Sequence, residues 1–278
     1  MSLGKEHRAN ERLLHKAVDL GINFFDTADL YDKGENEKTV GKALSAKRRA
    51  LFLATKVGNQ WRPDGSGWDW NPRKEYILQS VEGSLKRLQT DYIDLYQLHG
   101  GTIGDPIDET IEAFELLKAQ GKIREYGISS IRPNVIKEYV ARSNVVSVMM
   151  QYSLLDRRPE ESCLGLLQEH DIGVIVRGAV AKGLLIDKSA KEYLGYSEEQ
   201  VAKAASTVAK LSGQGRTAGQ TALQFVLKTP AVCSVAAGMR TEEQLMDNVG
   251  ATEAEVLNEE QYQQLGSVLK PNVYAEHR

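Results

Sequence analysis

Apolar residues along the chain follow two rhythms. Seven short runs are almost continuously apolar: 22–26, 51–56, 92–98, 123–129, 145–151, 172–177 and 232–237. Runs of that length bounded by polar residues predict buried strands. Between them, apolar residues recur at helical spacing over 5–20, 37–44, 74–88, 108–120, 133–142, 160–170, 197–211, 217–228, 242–249 and 259–269. In 74–88, for example, Ile77, Val81, Leu85 and Leu88 fall on one helical face. Gly21 and Gly121 stand where two of these helices end. The stretch 58–72 is rich in Gly, Asp and Trp and predicts a loop.

Strand then helix, repeated, with strands apolar on both faces, predicts a parallel sheet covered by helices. Nothing resembling a linker or a low-complexity tract interrupts 1–278, so one domain is expected. A (β/α)8 TIM barrel fits length and alternation, but it closes with eight strands and only seven are read here. The opening residues, MSLG, read as the end of a strand-to-helix loop. The first barrel strand is therefore expected to be missing from this sequence. A doubly wound sheet is the competing architecture. Its G-x-G-x-x-G run after the first strand is absent, so any nicotinamide cofactor must be held by other means.

Composition narrows the picture by exclusion. A net charge of −3 gives no reason to expect nucleic acid or an anionic membrane as partner. No apolar run approaches the roughly 20 residues of a membrane span, and no signal-peptide core opens the chain. A soluble cytoplasmic protein is expected, a monomer by default with an oligomer left open. Cys163 and Cys233 make neither a disulfide framework nor a metal cluster, and both are expected to be buried structural thiols.

Chemistry gathers at the strand ends. In a parallel barrel all strands end on one face, which carries the active site. The runs end at Asp26, Lys56, Ser129, Gln151 and Arg177, with His99 just past the third and Gly238 just past the last; Tyr31 follows Asp26 by five residues. One mouth would thus collect an acid, a cation, an imidazole and a phenol. A phenol is a weak acid at neutral pH, and a neighbouring ammonium favours its phenolate. Lys56 could supply that ammonium, Asp26 could hold it in place, and His99 could orient a carbonyl oxygen for protonation by Tyr31. That set suits reduction of an aldehyde or ketone by hydride transfer.

The same residues lie in motifs that resemble the aldo-keto reductase family, near its bacterial general-stress-protein-like branch. FFDTADLYDKGENEKTVGKAL resembles the signature around that family's Asp and Tyr, ATK its lysine strand, and DYIDLYQLH its histidine strand. GKIREYGISS, QYS, VRGAVAKGLL and GMRTEEQLMDN match further along. The resemblance runs nearly end to end. It implies a (β/α)8 barrel, an NADP cofactor, and a catalytic set of Asp26, Tyr31, Lys56 and His99. It also implies that Ser129, Ser130 and Gln151 hold the nicotinamide amide and that Tyr152 stacks on the nicotinamide ring. By the same resemblance Arg177, Gly178, Lys182, Gly183 and Leu184 lie along the pyrophosphate, and Gly238, Arg240, Gln244 and Asn248 at the adenosine phosphate. Physics supports this last piece: Thr241 and Glu242 open a helix whose N-terminus favours an anion, and Arg240 can fork to a 2′-phosphate.

Two departures stand out. The family's N-terminal hairpin and first strand are missing, with only residues 1–4 left of that loop, and the loop between 185 and 197 is short. Trp61, Trp68 and Trp70 either wall a substrate pocket or pack outside the barrel. Two other functions use parts of the set. A Schiff-base aldolase would use Lys56 alone. A cofactor-binding regulatory subunit would keep the barrel without turnover.

Overall fold

Seven strands and one small hairpin carry the chain in the computed structural model, which describes residues 6–213 and 215–278. Residues 1–4, read above as the remnant of a first barrel loop, lie outside the described residues. Contacts divide the chain into two units, residues 1–148 and 149–278.

The first unit runs helix α1 (His7–Asp19), strand β1 (Phe24–Asp26), α2 (Glu35–Leu44), β2 (Phe52–Val57), a hairpin of β3 (Asn59–Trp61) and β4 (Trp68–Trp70), α3 (Lys74–Leu88), β5 (Ile93–Leu98), α4 (Ile107–Ala119), β6 (Ile123–Ser129) and α5 (Pro133–Arg142). Strands β1, β2, β5 and β6 lie side by side and parallel. The strands are covered, so Phe25, Leu53, Leu95 and Ile128 are all buried. Helix α2 rests directly on the end of α3. A β-carbon on Gly41 would come within 2.5 Å of the Arg87 carbonyl oxygen, so only glycine allows this approach.

Register decides which side chains share a face. Asp26 pairs with Ala54, Lys56 with Gln97, and side chains alternate along each strand. Asp26, Lys56, Gln97 and then His99 therefore point to one side of the sheet. Thr55 and Tyr96, also register partners, point to the other, toward the helices.

The second unit opens within β7 (Ser147–Gln151) and continues through α6 (Cys163–Glu169), β8 (Gly173–Arg177), α7 (Glu198–Leu211), α8 (Ala218–Leu227), β9 (Val232–Ala236), α9 (Glu242–Gly250) and α10 (Glu259–Ser267). Strands β8 and β9 pair in parallel, with Arg177 beside Ala236. Helices α7, α8 and α10 each begin with a reciprocal capping box: Ser197 with Gln200, Thr217 with Gln220, Asn258 with Gln261.

Three details differ from the sequence reading. The stretch 58–72 is not all loop: it contains the β3–β4 hairpin, pinned by a two-pronged Arg62–Asp69 ion pair across its strands. The helix expected over 160–170 starts only at Cys163. Before it, Pro159 leads a 3-10 turn over Arg158–Glu161, in which Arg157 grips the Glu160 carboxylate. Of the two cysteines, Cys163 is buried as expected but Cys233 is exposed. On β9 the alternation turns Val232 inward and Cys233 outward.

Candidate active site

Four of the predicted site residues meet in the first unit. The Lys56 ammonium donates to both Asp26 carboxylate oxygens, at 2.7 and 2.6 Å, and to the Thr27 carbonyl at 2.8 Å. Both side chains are nearly closed off, at 1% exposure for Lys56 and 10% for Asp26. An ion pair with so little water must fill its hydrogen bonds within the protein. The Gln97 amide helps by donating to Asp26 at 3.2 Å. Tyr31 closes the group. Its ring centroid lies 5.2 Å from the Lys56 ammonium and 5.7 Å from the His99 ring, which it meets edge-on at 83°. Tyr31 and His99 are half-buried, so the phenol and imidazole lie nearer the surface than the ion pair beneath them.

The chain between β1 and Tyr31 is held by short bonds. Thr27 N–H donates to the Ala54 carbonyl, Tyr31 N–H to Ala28, and Thr27 Oγ1 to Asn36. Beyond Tyr31, Asp32 and Lys33 adopt left-handed φ values of 51° and 54° before Gly34 caps α2. Such angles are unfavourable for side chains with a β-carbon, and here they follow immediately on the phenol.

The hairpin braces the other two exits. Trp70 donates its indole N–H to both carboxylate oxygens of Asp105, each at 3.0 Å. Its ring lies against Gly58 and Gly100, the residues just past β2 and just past His99. A β-carbon on Gly58 would sit 2.6 Å from the ring. Asn59 donates to the His99 carbonyl at 3.3 Å, and His99 N–H donates to Val57. Trp70 thus packs on the backbone that delivers Lys56 and His99. Trp61 is half-buried with the Lys33 ammonium 5.1 Å over its ring, while Trp68 is exposed. The three tryptophans have three different surroundings, which the sequence could not separate.

Gln97 and Asn59 were missed in the sequence, and Trp70 was singled out there without the bracing role it has. Gln97 had a signal: an amide on a strand face two residues before His99 is a polar group in an apolar run. Of the two serines, Ser129 ends β6 half-exposed and Ser130 is buried, its Oγ accepting from the Arg132 N–H at 3.2 Å.

The second unit holds the remaining candidates. Gln151 accepts from Arg177 at 3.1 Å and donates to the Tyr193 hydroxyl at 3.0 Å. Gly178 has φ 73°, and a β-carbon there would press on the Gln151 side chain at 3.3 Å. Ala181, Lys182 and Gly183 form a tight turn with φ of 48°, 60° and 92°; Lys182 is exposed and Leu184 buried. Past β9, Gly238, Arg240 and Gln244 are exposed. Gln244 accepts from the Arg240 N–H at 2.9 Å, Thr241 caps α9 by accepting from the Gln244 N–H, and Asn248 donates to the Gly238 carbonyl at 3.4 Å. Among the described residues the Arg240 guanidinium makes no ion pair. A free guanidinium beside a helix N-terminus fits a phosphate group.

Tyr152 does not fit the stacking role expected of it. It is 1% exposed, its ring is tilted against Phe225 of α8, and its hydroxyl reaches Glu160 at 2.9 Å and Thr229 at 3.2 Å. Gln151 and Tyr152 are consecutive, and the strand's alternation sends Tyr152 into the helix layer. No face of its ring is open to a nicotinamide.

A model of the aldo/keto reductase family matches residues 3–270. Over its whole length the chain is 53% identical to the uncharacterized oxidoreductase YqkF of Bacillus subtilis, covering 93% of that protein. Among solved structures, the holo form of aldo-keto reductase AKR11C1 from Bacillus halodurans aligns with a TM-score of 0.93 and 51% identity, over 100% of this chain and 92% of that one. An aldo/keto reductase from Klebsiella pneumoniae in complex with NADP and acetate aligns with a TM-score of 0.78 and 27% identity, over 98% and 88%. The chain belongs to the aldo/keto reductase family. Its fold is the α/β barrel of that family, and its general chemistry is carbonyl reduction with a nicotinamide cofactor.

Proposed function

We propose that this chain reduces aldehydes or ketones to alcohols with NADPH, and that Tyr31 delivers the proton. One observation carries the reading: an ammonium fixed by a buried carboxylate lies 5.2 Å from the ring of a half-buried tyrosine that also meets a histidine edge-on. NADPH, when bound, supplies the hydride that the carbonyl carbon accepts. Tyr31 gives its hydroxyl proton to the carbonyl oxygen and is left as phenolate, which regains a proton from solvent. The Lys56 ammonium stabilises that phenolate, and Asp26 keeps the ammonium aimed. His99 positions the carbonyl oxygen beside the phenol.

The cofactor residues take their roles from family resemblance. In the first unit, Ser129 and Ser130 are assigned to the nicotinamide amide. In the second, Gln151 shares that role, and Arg177, Gly178, Lys182, Gly183 and Leu184 follow the pyrophosphate. Gly238, Arg240, Gln244 and Asn248 take the adenosine phosphate, and the free guanidinium of Arg240 is what favours NADPH over NADH.

The bonding of Lys56 weighs against an aldolase. Its nitrogen donates to three oxygens and its side chain is 1% exposed, so it is not the accessible amine that attack on a carbonyl needs. The test is a panel of aldehydes and ketones followed by NADPH absorbance, with borohydride trapping alongside. Steady NADPH consumption with no trapped adduct is expected. A borohydride-dependent adduct on Lys56 without NADPH turnover would overturn the proposal.

A further inference from the structure

Behind the Tyr31 loop, on the helix side of the sheet, lies a second pair of carboxylates that the proposed chemistry does not use. Asp29 is 7% exposed, and Glu37 of α2 is fully buried. Glu37 is well supplied. Thr55 donates to one oxygen at 2.5 Å, and Arg87 at the end of α3 donates to the other at 2.7 Å. Asp29 is not. Ser80 of α3 donates to one oxygen at 3.2 Å, and the other is buried with no hydrogen-bond partner among the described residues. A buried carboxylate needs several donors to stay ionised, and a second carboxylate nearby works against it.

We propose that Asp29 is a positioning residue for Tyr31: as a neutral acid it seats the 27–31 bend against β2, and loss of its proton beside Glu37 loosens that bend. The link to Tyr31 is short. Asp29 N–H donates to the carbonyl of Lys56 at 3.4 Å, and Tyr31 is two residues on, bonded back to Ala28. Movement of Asp29 therefore moves the phenol relative to the ammonium beside it. The assignment of Tyr31 as proton donor is the reading on which this catalytic consequence rests.

The groups facing Asp29 favour the neutral acid. Burial first, then the Glu37 charge, pushes its carboxyl up to about 7. Ser80, the Arg87 guanidinium and the Leu30 N–H oppose this and do not overcome it. From α3, Tyr76 is pushed up to about 12, by its own burial and then by the Asp29 charge, and from β5 Tyr96 is raised by the same two causes. Neither phenol therefore adds a second ionisation near neutrality. From β2 the Lys56 carbonyl accepts from the Asp29 N–H, while the Lys56 ammonium is bonded to Asp26.

The sign follows from linkage. A carboxyl whose folded pKa exceeds its unfolded value of about 3.9 leaves the fold most stable below that value. That stability is lost as pH rises through about 7.

The test compares wild type with Asp29→Asn, a neutral isostere, between pH 5 and 9. Two readouts need no turnover: the thermal midpoint, and hydrogen exchange of residues 27–31 corrected for the base catalysis common to all amides. In wild type the midpoint should fall as pH rises from 5 to about 7 and level off above it. Opening of the segment should rise by up to about tenfold per pH unit, the limit for one ionisation. Both trends should be absent in Asp29→Asn. A third readout is kcat, which should fall above pH 7 in wild type at unchanged NADPH affinity and stay level in the variant. If Asp29→Asn fails to fold, Ser80→Ala takes its place. Removing the side-chain donor to Asp29 should move the wild-type transition to higher pH. Identical pH dependence in wild type and variant would overturn the proposal. Loss of the kcat effect alone, with the exchange effect intact, would count against Tyr31 as proton donor and leave the Asp29 bend standing.

Discussion

The two ends of this molecule's proposed chemistry are built in opposite ways. Around Lys56 and Asp26 the first unit removes water: the pair is bonded to itself, to the Thr27 carbonyl and to Gln97, and a tryptophan packs on the exits of both neighbouring strands. Around Arg240 the second unit does the reverse. The charged head stays in solvent, and only the backbone beneath it is tied, through Gln244 and Asn248. The difference follows from the tasks. A proton donor depends on a fixed field at one atom, which needs low local dielectric and rigid partners. A phosphate brings its own large charge, and a solvated guanidinium on a held loop is enough to read it. Substitutions of the buried pair in the first region should therefore affect stability and turnover together, and substitution of the exposed charge in the second should affect affinity alone.

The largest expected effect is Tyr31→Phe. General-acid catalysis contributes about 10²–10⁴-fold, so carbonyl reduction should fall by that factor while NADPH affinity holds. Stopped-flow turnover with parallel cofactor titration checks it. A variant within twofold of wild-type kcat would remove Tyr31 from the mechanism and leave the comparison without its catalytic half.

Lys56→Met comes next, and it tests the claim about water directly. The substitution leaves Asp26 buried without its cation, which typically costs about 3–5 kcal/mol. The same change at an exposed cation costs within about 0.5 kcal/mol, so Arg240→Met should leave urea unfolding unchanged. Restoring a neutral partner by adding Asp26→Leu to Lys56→Met should recover much of the stability but none of the activity. Equal unfolding midpoints for Lys56→Met and Arg240→Met would erase the contrast between the two regions.

The two regions were also unequally legible in the sequence. Asp26, Lys56 and His99 could be placed together because strand ends in a parallel sheet converge and because each broke an apolar run. Boundaries at β6, α3 and α5 matched the apolar pattern to the residue. What escaped was whatever depends on which face a side chain takes. Tyr152 was assigned to the nicotinamide by family resemblance, yet it stands one step past Gln151, and one step along a strand reverses the face. Cys233 came out on the surface for the same reason. The β3–β4 hairpin was hidden by Asp64 and the glycines that follow it in the turn, between W-x-W on one side and Gln60-Trp61 on the other. Asp29 carried no signal of its own in the sequence. Only helices α2 and α3, closing over it, make it a buried acid.

Arg240→Ala sharpens the second half of the comparison. A hydrogen bond to a charged group contributes roughly 1.5–3 kcal/mol. NADPH binding should weaken by about ten- to a hundredfold, and NADH binding much less. Rising salt should narrow the wild-type preference, since an exposed pair is screened. Equal losses for both cofactors would mean that Arg240 shapes the loop and does not read a phosphate.

The smallest effect separates the guanidinium from the loop that presents it. Three helices of the second unit begin with a full capping box, but α9 uses its glutamine differently. Gln244 takes its backbone cap from Thr241, yet its side chain accepts from the N–H of Arg240, one residue before the cap. The helix start is thereby tied to the residue that carries the charge. Gln244→Ala removes one neutral hydrogen bond, about 0.5–1.5 kcal/mol. If that energy holds the Arg240 backbone in place for phosphate, NADPH affinity should fall by about two- to twelvefold, with little change for NADH. Thr241→Ala should behave otherwise. It loses the helix cap, about 1 kcal/mol of local stability, but leaves the Gln244–Arg240 bond available, so cofactor preference should hold. Isothermal titration of both variants with both cofactors gives four affinities. Preference lost in Gln244→Ala and kept in Thr241→Ala would show that the backbone tie positions the charge. Preference kept in both would leave Arg240 acting from solvent on its own, indifferent to how its loop is held.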